Sequence, residues 1–157
     1  MRRFAVLLWL MTPTVLLAGS GNDLPIAADL KLDAETSARN RAPIMVFYMS
    51  DHCAYCAEVS DLYLRPMQNS GEYKGRLILR TVNIASMNSL RGFNGELVEH
   101  ERFAESQGIN FTPVIKFYDH QGHELVPEIA GYNTPDFYGA YLESAIDQSI
   151  ARLRKFN

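Results

Sequence analysis

Two cysteines three positions apart, Cys53 and Cys56, are the only thiols in this chain of 157 residues. With an apolar run before them and a helical pattern after, that spacing suits thiol–disulfide exchange. A thiolate at Cys53 would face the unpaired N–H groups and the positive end of the following helix. Such settings lower a cysteine pKa from about 8.5 into a range of roughly 3.5–7.5. Cys56, within one turn, could then resolve a mixed disulfide formed on Cys53. As a staple the pair is weak: closing a four-residue loop stabilises by about 1.9 kcal/mol, against about 3 for fifteen residues. A passive disulfide and half of a metal site are the other readings. Haem attachment would need a histidine after Cys56, where the sequence has Ala57.

Few other residues carry a chemical signal. His52, as a cation, would favour the Cys53 thiolate and tune its potential, or it is a solvated loop histidine. Thr112-Pro113 stands at the start of an apolar strand, as an ordinary turn proline or as a cis proline beside the cysteines. His120 and His123 flank a hairpin glycine, and His100 lies on a polar helix face. No metal set is expected from them.

The elements that must hold the pair follow from pattern. Ile44–Met49 is continuously apolar, as a buried strand requires. Cys53 to about Leu64 reads as a helix closed by Pro66. An N-terminal helix starts near Pro25. Leu77–Ile84 is a second strand, and Ala85–Gly95 a loop. Glu96–Gln107 is a helix stopped by Gly108. Val114–Tyr118 and Leu125–Ala130 form an antiparallel hairpin, with Pro127 keeping the latter at the edge. The last helix begins at Thr134-Pro135 and carries Tyr138, Tyr141, Leu142, Ala145, Ile146, Ile150 and Leu153 at helical spacing. A central mixed sheet with helices on both faces satisfies this order, an α/β fold.

Residues 1–20 read as a signal peptide: Arg2 and Arg3, an apolar run from Phe4 to Ala18, then small residues to Ser20. Cleavage after Ser20 or after Ala18 fits. An uncleaved anchor is the other reading, although the run is short against the roughly 20 residues needed to span a bilayer. Removal takes two basic residues and no acid, making the formal charge two units more negative than −3. That acidity offers no field for nucleic acid. The domains expected are 1–20, a signal peptide; 21–41, an N-terminal helical extension; and 42–157, the folded domain. In an oxidising compartment a single cysteine pair is disulfide-bonded unless something reduces it.

From about Ala42 to Glu143 the chain resembles thioredoxin-fold proteins, in particular exported bacterial ones. The matching pieces are Val46-Phe47-Tyr48, Cys53-Ala54-Tyr55-Cys56, Thr112-Pro113 and Gly131-Tyr132. The Phe93-Asn94-Gly95 loop and Phe103-Ala104 are similar to a periplasmic, thioredoxin-related branch associated with sulfur oxidation and cytochrome maturation. The resemblance implies a thioredoxin-like three-layer sandwich. Cys53 would be the nucleophile, Cys56 the resolving thiol and Pro113 a cis proline. Phe111 and Thr112 would present backbone groups to a substrate's cysteine strand, with His52 and Tyr55 in support.

Two departures stand out. The dipeptide is Ala-Tyr, not the Gly-Pro of thioredoxin. Position 47, six before Cys53, is phenylalanine where thioredoxin has a buried aspartate. Water, or Glu58, would have to move the Cys56 proton.

The leading expectation is a monomeric periplasmic reductase of protein disulfides, with no cofactor beyond the Cys53–Cys56 disulfide. Its partners would be protein thiols or disulfides and a membrane-bound thiol reductant. A copper-binding or copper-delivery module using the cysteine pair is a second reading, and a non-catalytic interaction domain with an inert bridge a third.

Overall fold

Ile44–Met49 forms β1 at the centre of a four-stranded sheet of order β2-β1-β5-β6. A computed structural model describes residues 23–155, so the segment 1–20, expected to be a signal peptide, lies outside the described residues. β2 (Ile78–Asn83) pairs parallel with β1, and β5 (Val114–Tyr118) pairs antiparallel on its other side. β6 (Ile129–Ala130) closes the edge against β5. The apolar run of β1 is explained by burial on both faces. Met45 and Phe47 enter one core layer with Cys56, Val59, Ile115 and Phe117. Ile44, Val46 and Tyr48 enter the other, with Leu30, Phe103 and Tyr118.

The helices cover these two faces. α1 (Leu30–Asn40) and α4 (His100–Ser106) pack on the second layer. α2 (Ala54–Val59) and α5 (Pro135–Lys155) pack on the first. The result is the three-layer sandwich expected.

Several elements depart from expectation. α1 starts at Leu30, not Pro25. The Asp29 side chain caps it, accepting from the Leu32 N–H at 2.9 Å. Pro25 and Ala27 instead run along β2: the Thr81 N–H donates to the Pro25 carbonyl and the Ala27 N–H to the Thr81 carbonyl.

Pro66 does not close the second helix. A π turn over Ser60–Leu64 lets the Arg65 N–H reach the Ser60 carbonyl, five residues back, and α3 (Arg65–Ser70) continues. The wider turn relieves the clash a proline ring would make in a regular α-helix. The segment 85–99 holds a hairpin, β3 (Ser89–Arg91) with β4 (Leu97–Glu99), so α4 begins at His100 rather than Glu96. Gly95, at φ +88°, makes the turn.

The last strand is only two residues long, because Pro127 interrupts the pairing that Leu125 begins with its N–H to the Phe117 carbonyl. In α5 the stripe is buried as read, save Tyr141, which is 54% exposed. Among the described residues, no helix is long and apolar enough to cross a membrane.

Candidate functional site

β1 ends at Met49, and the turn that follows delivers Cys53 to the start of α2. The Cys53 N–H donates to the Ser50 carbonyl at 3.3 Å. Cys53 is the N-cap residue, with extended backbone, and its carbonyl accepts from the Ala57 N–H at 3.2 Å. Its Sγ accepts from the Cys56 N–H at 3.0 Å. The two cysteines are joined as a disulfide, with Cα atoms 5.1 Å apart. They differ in access: Cys53 is half-buried, and Cys56 is buried among Phe47, Val59 and Ile115.

The Thr112–Pro113 peptide bond is cis. Register places it at the same end of the sheet as the cysteines, since Val114 lies opposite Tyr48 on β1. Two contacts tie the loop in place. Ser50 Oγ lies 3.5 Å from Thr112 Oγ1, and the Gly131 N–H donates to the Pro113 carbonyl at 2.8 Å. Phe111, just before this pair, is 47% exposed. Cys53, Cys56, Thr112 and Pro113 thus share one end of the sheet with Phe111 and Gly131.

Tyr55 is 58% exposed, and its ring sits 6.0 Å from that of Tyr132. Tyr132 belongs to a group the sequence reading did not assemble. Its ring lies 5.1 Å from Tyr138 and 6.3 Å from Tyr63, and Tyr63 lies 5.0 Å from Tyr138. The Tyr63 hydroxyl donates to the Pro135 carbonyl at 3.0 Å and lies 3.4 Å from the Tyr132 hydroxyl. That neighbouring hydroxyl, helped by burial and by the charges of Tyr63, Glu58 and Asp136, pushes the Tyr132 phenol up to about 12. Each tyrosine was visible in the sequence. Their meeting was not, because 69 residues separate Tyr63 from Tyr132.

The remaining candidates lie elsewhere or point outward. His52 is exposed on the turn before Cys53 and makes no hydrogen bond among the described residues. Glu58 is exposed, and Phe47 is buried beneath α2, so neither is a buried carboxylate. His100 is a correction: it is 2% exposed, its Nδ1 accepting from the Asn83 N–H at 3.3 Å. The helix start at His100 turns the residue inward, against β2. His120 and His123 lie in the turn after β5, where the His123 Nδ1 sits 3.4 Å from Asp119. Among the described residues, no three of His, Cys, Asp and Glu gather as a metal set.

Residues 30–146 match the family model of the thioredoxin-like domain. No curated protein sequence matches the chain. Solved structures share the fold at low identity. A poplar thioredoxin h mutant is 16% identical, with 86% of this chain and 87% of that one covered at a TM-score of 0.53. Spinach chloroplast thioredoxin f is also 16% identical, over 80% and 95%, at 0.51. A thioredoxin-fold protein from Helicobacter pylori is 17% identical, over 75% and 88%, at 0.50.

Proposed function

The chain belongs to the thioredoxin-like family, and from that premise we propose that it is an exported thiol–disulfide oxidoreductase acting as a reductase of protein disulfides. The observation that carries the reading is the asymmetry of the pair. Cys53 is partly open at a helix start beside the cis-Pro113 loop, and Cys56 is buried one turn behind it.

The reaction has two steps. In the reduced protein the Cys53 thiolate attacks one sulfur of a substrate disulfide. A Cys53–substrate S–S bond forms, the substrate's own S–S bond breaks, and the departing thiolate takes a proton. Cys56 then gives up its proton and attacks Cys53 Sγ. The Cys53–Cys56 bond forms and the second substrate thiolate leaves. Two electrons pass from the protein dithiol to the substrate. A membrane-bound dithiol partner would restore the protein by the same exchange in reverse. With Phe47 beneath α2 and Glu58 exposed, water carries the Cys56 proton.

The backbone groups of Phe111 and Thr112 would hold the substrate's cysteine segment, with His52 and Tyr55 at its sides. No further cofactor is needed, because the reduced Cys53–Cys56 dithiol itself carries the two electrons. The segment 1–20 would direct the chain to the periplasm, where it would act as a monomer.

Reduction of insulin by the dithiol protein is the test. The rate should vanish in Cys53→Ser, and Cys56→Ser should accumulate a mixed disulfide on Cys53. An unchanged rate in Cys53→Ser would overturn the reading.

A further inference from the structure

The segments around the disulfide share a charge pattern that the redox chemistry does not require. Residues 50–64, 108–114 and 128–137 supply the turn after β1, α2 with the π turn, the cis-proline loop, and β6 with the loop into α5. They contain Asp51, Glu58, Asp61, Glu128 and Asp136, and no lysine or arginine. Two of these acids have ion-pair partners: Asp61 pairs with Arg65, and Glu128 with Lys116 at 3.1 Å, a lysine it shares with Glu124. Among the described residues, Asp51 accepts only from the neutral Asn83 amide, at 3.0 Å. Glu58 and Asp136 are exposed and in no ion pair among the described residues.

Glu58 is on α2, the helix that Cys53 caps, and Asp136 follows Pro135, whose carbonyl accepts from the Tyr63 hydroxyl at 3.0 Å. The Tyr63 hydroxyl lies 3.4 Å from that of Tyr132, whose ring packs tilted at 6.0 Å from that of Tyr55, inside the cysteine motif, and the charges of both acids help to raise the Tyr132 phenol. Exposed aromatic surface accompanies the charge, from Tyr55 on the helix and Phe111 on the proline loop.

We propose that the disulfide attacked by Cys53 lies in a protein segment carrying an apolar side chain and at least one lysine or arginine beside its reacting cysteine. The inference rests on the thiol–disulfide reading of the same site and names its substrate class. The apolar side chain covers Tyr55 and Phe111, removing their faces from water. The basic side chain answers Glu58 and Asp136, which act over about a Debye length of 10 Å at 0.1 M salt. Exposed charge pairs of this kind raise the association rate and lose their effect as salt rises.

Three disulfide-linked peptide dimers of equal length test it, with cysteine flanked by Phe and Lys, by Phe and Glu, or by Gly and Ser. Each rate with the reduced protein is divided by its rate with dithiothreitol, because a basic neighbour speeds departure of any thiolate. At about 0.01 M salt the Phe/Lys peptide should react about tenfold or more faster than the Phe/Glu peptide, and the excess should fall below about threefold at 1 M. The double variant Glu58→Gln, Asp136→Asn should lose the low-salt excess. Equal normalised rates through Cys53 for all three peptides would overturn the inference and leave the oxidoreductase reading standing, as would an excess that persists in the double variant. No reduction of any peptide would overturn the oxidoreductase reading itself.

Discussion

The Cys56 N–H points at Cys53 Sγ from 3.0 Å, so the first sulfur of the pair sits where the helix presents its free donors. The second sulfur has no such access, since Cys56 is 1% exposed. In the reduced protein, iodoacetamide near neutral pH should therefore label Cys53 about tenfold or more faster than Cys56. Peptide mapping of singly labelled protein reads the ratio. Equal labelling would mean that the helix start does not govern reactivity.

The same pair should matter little for stability. Three positions separate the cysteines, and Cys56 is surrounded by core side chains. Reduction should lower the unfolding free energy by no more than about 2 kcal/mol, as chain entropy for so short a loop requires. Urea titrations of the oxidised and reduced protein measure the difference. A reduced form that unfolds in water would make the bridge a staple, the inert-domain reading.

Tyr48 and Tyr118 place their hydroxyls 2.7 Å apart inside the second core layer. Replacing either with phenylalanine strands the other hydroxyl, at a cost of about 1–3 kcal/mol. Replacing both should cost less than the two single changes together, which a double-mutant cycle would show. Burial, before any other cause, holds both phenols above their usual value of 10. Their protons are lost near pH 10 only when the chain unfolds, so this contribution is complete below pH 10 and falls as pH rises past it. The double variant should unfold at higher pH than the wild type, and tyrosinate absorbance should rise with the unfolding transition.

Legibility in the sequence followed physical scale. β1 and α2 were readable because one is apolar at every position and the other begins at a cysteine pair. The edge position of the last strand was readable from Pro127 alone. The β3–β4 hairpin was not, because Leu97 is 72% exposed and three residues cannot set a period. Helix continuation through Pro66 was hidden because the rescuing π turn leaves no mark in composition. At the site, Cys53, Cys56 and Pro113 were legible from spacing and resemblance. The cluster of Tyr55, Tyr132, Tyr63 and Tyr138 depends on contacts between α2, the π turn, the loop after β6 and α5 that no local pattern contains.

His100 gives a prediction in acid. Its imidazole is almost wholly enclosed, and its Nδ1 accepts the Asn83 N–H, which binds α4 to β2. Burial holds its pKa below the usual 6.5, partly opposed by its bond to the Ala27 backbone. A proton on Nδ1 would break the Asn83 bond and charge an apolar site. The unfolded chain takes up that proton near pH 6.5 while the folded chain refuses it. The stability contribution is thus complete above 6.5 and shrinks as pH falls, until the folded imidazole also titrates. The slope from this one group is at most about 1.4 kcal/mol per pH unit. In His100→Asn, whose amide oxygen can still accept from Asn83, the urea midpoint should depend less on pH below 6.5, by up to one proton. An unchanged slope would assign the acid sensitivity to another group.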